Sequence, residues 1–186
     1  MSRYRCLIAI GIVLVVGLGI LAYRHIVPTI TLTSSTALYP GYDTAENMEY
    51  ASEVVVVVSV VGKGKSKDVN DWLYTFTPLK VERVFKGDLL PGERIEFAER
   101  GGYERKVTGL YFIGREDYVH IKQNSSYLLF LIEEGDTGIY FTTGGPEGKY
   151  VWPLPQEATA ENLEFTDCWG VDLDLYNSIL ARYGGN

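Results

Sequence analysis

The chain has 186 residues, 46% of them hydrophobic, with 24 acidic and 17 basic side chains, a formal net charge of −7 and two cysteines. Arg3, Arg5 and Arg24 precede residue 28 and no acid does, so the remainder carries a formal −10. That excludes a nucleic-acid partner, which needs clustered Lys and Arg, and argues against a domain lying flat on an anionic bilayer. Cys6 lies in the apolar N-terminal run and Cys168 in the domain that follows, so with that run in a membrane they cannot pair within one chain, and a domain of roughly 150 residues is then stable through its core rather than through disulfides.

Read from the N-terminus, Met1–Arg5 is short and basic, and Cys6–Tyr23 runs without a charge. The run has no polar face, unlike a core helix, and is at the short end of what spans a bilayer. Arg24 and His25 close it and Pro28 ends it. Residues 1–28 are expected to form a single-pass transmembrane anchor, with Arg3 and Arg5 holding the N-terminus in the cytoplasm and the main domain outside. The alternative is a cleaved signal peptide. Leu21-Ala22-Tyr23-Arg24 is a poor cleavage site, and Ser35-Thr36-Ala37, chemically better, lies well past the apolar run. Cys6 begins the run instead of following it, which argues against lipid attachment.

Residues 29–49, β-branched and hydroxyl-rich with a turn signal at Tyr39-Pro40-Gly41-Tyr42, are expected to be an extended stalk. A barrel is expected over 50–152. Val54–Val61 is a continuous apolar run of strand length. Gly62–Lys67 reads as a flexible basic loop without phosphate-loop spacing. Trp72–Phe85 is the clearest strand: Tyr74 and Phe76 point one way, Leu79, Val81 and Phe85 belong to the opposite parity, and the switch near Pro78 predicts a bulge or bend. Arg94–Glu99 returns, and Gly101-Gly102 breaks it. Residues 103–124 are polar and aromatic with no clean period, and read as irregular. Ser126–Ile132 and Ile139–Thr143 flank a turn, and Lys149–Trp152 is a short closing strand. Residues 153–186 read as a loop followed by a helix over Val171–Tyr183, with Leu173, Tyr176, Ile179, Leu180 and Tyr183 on one face against the barrel. The expected fold is mainly β: a small antiparallel OB-like barrel with a C-terminal helix. A β-sandwich is the second choice.

The order VVVVVSVVGKG, YTFTPLKVERVFKGDLLPGERIEF, GG, SYLLFLIE, GGPEGKYV resembles a group of uncharacterised bacterial exported or lipid-anchored proteins. Their barrel is similar to the OB-like domain of tissue inhibitors of metalloproteases and netrin-type modules. The resemblance covers roughly residues 50–152 and implies a fold, not an activity. Those inhibitors chelate their target's metal through an N-terminal cysteine held by disulfides, and nothing here matches that framework.

The chemistry-bearing residues are sparse. His25 and His120 are the two histidines, too few for a converging metal site, and no nucleophile elbow surrounds Ser125 or Ser126. No cofactor is implied. Glu99, Glu104, Glu116 and Asp117 could supply a carboxylate pair for glycan hydrolysis if the fold set two of them face to face. Glu133, Glu134 and Asp136 are oxygen donors in a turn without calcium-loop spacing. Asn124-Ser125-Ser126 matches a glycosylation acceptor of use in a eukaryotic secretory pathway, whereas the chain looks bacterial. Cys168, beside Trp169, is expected to be buried. Tyr103, Tyr111, Phe112 and Tyr118, interleaved with Arg100, Arg105 and Arg115, make the 100–124 segment the expected interaction surface. The expected role is a non-catalytic module binding an envelope protein or cell-wall polymer, with a glycan hydrolase and a structural spacer as alternatives.

Overall fold

The computed structural model describes residues 2–33, 41–115, 118–155 and 173–185, with side chains from Gly11 onward. Helix α1 spans Ser2–Ile26. Among the described residues no helix is long and apolar enough to cross a membrane, so the expected span over Cys6–Tyr23 rests on sequence alone.

The barrel is built around β2 (Val54–Val60) and β8 (Ser126–Glu133). Strand alternation divides their apolar runs between two cores. Val54, Val56, Val58 and Val60 point inward with Tyr127, Leu129 and Leu131, and meet Leu79, Val81, Ile95, Phe97 and Tyr140 in the barrel interior. Val55 and Val57 point outward with Leu128 and Phe130, and are covered by helices. An unbroken valine run is therefore what this position requires. Each side chain so buried contributes about 1.5–3 kcal/mol.

Five strands close the ring. β2 pairs with β4 (Trp72–Lys86), β4 with β5 (Arg94–Arg100), β5 with β9 (Ile139–Thr142), β9 with β8, and β8 with β2. Numbered along the chain as barrel strands, the order is 1-2-3-5-4-1. The expectation of an antiparallel barrel needs one correction: β5 and β9 run parallel, because a connection through β8 separates them in the chain. β10 (Lys149–Trp152) adds to β8, and β3 (Lys65–Val69) adds to β4. Residues 65–67 thus belong to a strand rather than to a loop.

β4 is a long strand shared between neighbours, but the bulge or bend expected near Pro78 is absent: Thr75, Thr77, Leu79 and Val81 keep one inward parity through it, and the irregularities lie elsewhere. Pro78 pairs in register with Glu96. It sits where β4 changes partner, from β3 over Trp72–Phe76 to β2 over Leu79–Lys86, so its missing N–H interrupts no ladder. The register shifts fall between Val55 and Val56 and between Val57 and Val58, leaving Glu82 and Phe85 unpaired.

Residues 29–49 are not a stalk throughout. β1 (Thr29–Thr33) pairs in parallel with β7 (Gly109–Arg115), and α2 spans Ala45–Ala51. Thr44 caps α2 by accepting from the Asn47 N–H at 3.2 Å, and Ala45 and Met48 enter the outer core. The 103–124 stretch is also more regular than its sequence implies. β6 (Gly102–Lys106) and β7 form a hairpin, and with β1 they make a second, three-stranded sheet. Gly101 and Gly102, at φ +99° and +152°, turn the chain from β5 into β6, and a β-carbon on Gly102 would overlap Ser66 Oγ and Thr75 Oγ1.

Helix α3 (Leu173–Tyr183) packs on the outside of the barrel through Leu175, Tyr176, Ile179 and Tyr183. Leu173, expected on that face, is exposed, and Leu175 takes its place. Phe85 and Phe130 meet the Tyr183 ring edge-on at 4.8 and 5.7 Å between centroids. Cys168, Trp169, Glu116 and Asp117 lie outside the described residues.

Candidate functional site

Inward-facing Thr75, Thr77, Leu79 and Val81 are buried on β4, which turns Trp72, Tyr74 and Phe76 to the outer face. A two-residue turn, Asn70-Asp71, with φ of 50° and 65°, folds β3 back along this row. It sets Val69 opposite Trp72, Lys67 opposite Tyr74 and Lys65 opposite Phe76. On the other side of β4, β5 presents Glu96 opposite Pro78 and Arg100 opposite Tyr74. β9 adds Ile139 and Phe141, and the β8–β9 turn adds Glu134.

Apart from Pro78 and Arg100, these residues line an open groove of about 650 Å³ running over β3, β4, β5 and β9. Its floor is aromatic: Tyr74 lies 5.9 Å from Phe141, edge-on, and 6.3 Å from Phe76. Trp72 is 54% exposed, and the Arg100 guanidinium stacks on its ring at 3.5 Å. Lys65 and Lys67 come from the β3 side, whereas Glu96 and Glu134 come from the β5–β9 side.

A smaller cavity of about 220 Å³ adjoins the groove through Tyr74 and Phe141. Beside it Glu99 and Lys149 form an ion pair at 2.9 Å, with side chains 0% and 2% exposed. The Glu99 carboxylate also accepts from the Tyr118 hydroxyl at 3.0 Å and from the Ile121 N–H at 3.1 and 3.2 Å. Lys149 donates to the Val119 carbonyl as well, and lies 4.1 Å from the centre of the Tyr118 ring. Segment 118–121 is thereby tied to the barrel wall. Lys149, Tyr118 and the Ile121 N–H converge on Glu99 Oε1, which makes this carboxylate a structural tie in the wall. Glu104 pairs with Lys106 at 2.9 Å. Glu133 accepts from the Gly138 N–H at 2.6 Å within its own turn. Among the described residues no three His, Cys, Asp or Glu side chains converge as a metal site would require.

The expected interaction residues are divided among three places. Arg100 lines the smaller cavity and stacks on Trp72 at the edge of the groove. Tyr103, 52% exposed, begins a row of rings on the second sheet: it lies 5.1 Å from Phe112, which lies 5.6 Å from His120, itself 5.8 Å from Tyr118. His120 is held through Nε2 at 2.9 Å from the Arg100 carbonyl oxygen. Arg105 is exposed and Tyr111 half-buried near the hairpin tip, where the Tyr111 hydroxyl bonds Thr108 at 2.8 Å. The Arg115 side chain lies outside the described residues.

No protein-family model matches the chain, and no curated protein is similar to it. The groove therefore has to be read from its own residues. Its signal was present in the sequence as the shared parity of Trp72, Tyr74 and Phe76. Assigning them to solvent required knowing that the threonines between them face the interior.

Proposed function

We propose that the chain is a membrane-anchored, extracytoplasmic binding module without catalytic activity, and that an envelope component lies in the groove over β3, β4, β5 and β9. The observation that carries this reading is the outward aromatic row Trp72–Tyr74–Phe76, which the barrel interior does not use and which charged side chains of both signs flank. Large aromatic groups facing solvent in a concave site are anchors for a ligand. The ring order 1-2-3-5-4-1 favours an OB-like barrel, whose ligand face and flanking loops correspond to this side. The uncharged run Cys6–Tyr23 and the basic residues before it favour a single-pass anchor with the N-terminus inside.

Cross-linking of the full-length protein in its native membrane tests the reading. A partner captured by the wild type should be lost with Trp72→Ala/Tyr74→Ala and kept with Tyr111→Ala/Arg105→Ala. The opposite pattern would move the site to the β6–β7 hairpin. The protein should stay in the pellet after an alkaline carbonate wash, and its release would refute the anchor.

A further inference from the structure

Resting on that reading of the groove, we infer that its ligand is an uncharged, hydroxyl-rich glycan chain whose sugar rings stack on Trp72, Tyr74 and Phe141. Three features of the groove converge on this class.

The floor offers π faces and edges rather than a closed apolar pocket. Tyr74 meets Phe141 edge-on, and Trp72, covered on one side by Arg100, stays more than half exposed. The polarised C–H face of a pyranose is attracted to the negative face of such rings. Lys65, Lys67, Glu96 and Glu134 stand around that floor with hydrogen-bonding tips that a purely apolar ligand would not use.

The charges select against ionic polymers. Among the lining side chains Lys65 and Lys67 are balanced by Glu96 and Glu134 across the groove, and Arg100 at its edge is engaged on the Trp72 ring, in a chain of net charge −7. A single-stranded nucleic acid needs a basic channel beside its stacking platform, and a polyanionic polymer would meet Glu96 and Glu134. Neutral hydroxyls suit both sides, since each accepts from an ammonium and donates to a carboxylate.

The floor offers little backbone to an extended peptide. β4 is paired on both sides over Tyr74–Phe76, by β3 and β5, and β5 is paired by β4 and β9 at Glu96 and Phe97. The outer edge of β3, at the rim of the groove, is where strand addition would have to occur. Recognition is left to ring faces and side-chain tips, and a volume of about 650 Å³ suits a short run of sugars.

The test applies the full-length protein, in a zwitterionic detergent, to an array of neutral, cationic and polyanionic glycans, with a random-peptide array beside it. Retention is expected on neutral glycans and should persist at high salt, which screens only charge pairing. Trp72→Ala should weaken it about tenfold or more, as loss of an aromatic anchor does, and Trp72→Phe should restore part of it. Near-UV circular dichroism outside the lost indole contribution, and an unchanged unfolding midpoint, establish that the exposed side chain was removed without disturbing the fold. Trp72-dependent retention confined to polyanionic glycans or to peptides would overturn the glycan class and leave the groove reading standing. Absence of any Trp72-dependent retention on either array would overturn both.

Discussion

Lys149 points into the barrel because it stands opposite Leu129, an interior position of β8, and Glu99 does so because it stands opposite buried Thr75. Strand alternation alone brings two full charges into the core, so each must neutralise the other. Lys149→Met should cost about 3–5 kcal/mol by leaving the Glu99 carboxylate without its ammonium. Glu99→Gln/Lys149→Met should recover most of that loss, because the amide oxygen still accepts from the Ile121 N–H. Urea unfolding of the wild type, both single variants and the double variant measures the coupling. At the outer core, Glu49 accepts from Arg182 Nε at 2.6 Å and from the Tyr183 hydroxyl at 2.5 Å. The Arg182 hydrogen bond, helped by that of Tyr183, holds the Glu49 carboxyl below its ordinary value of 4.5. A carboxyl with a lower pKa in the folded than in the unfolded state stabilises above its unfolded value and loses that contribution as pH falls through the folded one. Glu49→Gln should therefore be less stable than wild type at neutral pH, and the gap should close as pH falls below about 4.5. Thermal melts of both proteins across that range measure it.

Regular elements were legible where one pattern served one purpose. The valine run and YLLFLI announce strands of the barrel wall, since a strand covered on both faces needs apolar residues at both parities. The C-terminal helix is legible from its 3- and 4-residue spacing, though the exchange of Leu173 for Leu175 depends on the rotation at which α3 meets Phe85 and Phe130. Replacing Ile179, buried at that contact, with Ala should cost about 2–5 kcal/mol. Leu173→Ala, at an exposed site, should change stability by less than about 0.5 kcal/mol. Chemical denaturation of the pair tests which face packs. The β6–β7 hairpin escaped reading because its aromatic and charged residues serve ring stacking on a small sheet, not an apolar core, so no period of two emerges. α2 escaped because seven residues are too few to establish a helical period, although Thr44, three residues before Asn47, is a capping signal. The groove was half legible: the parity of Trp72, Tyr74 and Phe76 is in the sequence, but which parity faces water is decided by strands distant in the chain.

For the molecule as a whole, the N-terminal segment is bound to the domain well beyond its covalent connection. Val27 and Pro28 alone separate α1 from β1, and β1 pairs with a strand about eighty positions later, Thr29 with Tyr111 through Thr33 with Arg115. A chain beginning at Thr29 should be soluble and monomeric. One beginning at Gly41 lacks β1, bares the β7 edge, and should self-associate. Light scattering of the two truncations distinguishes them. A β-carbon at Gly109 would come within 2.7 Å of the Arg24 carbonyl oxygen, so the hairpin tip, with exposed Val107, lies beside the end of α1. The paired strands also determine how the junction carries load. Tension on α1 enters β1 at Thr29, beside Tyr111. The second sheet rejoins the barrel at its far end, through Arg115 and through Gly102 opposite Ile113. Force therefore runs along the strands and reaches the whole β1–β7 ladder together, instead of opening it one bond at a time. The junction behaves as a lap joint loaded in shear, which resists separation of β1 from the domain under a pull on α1.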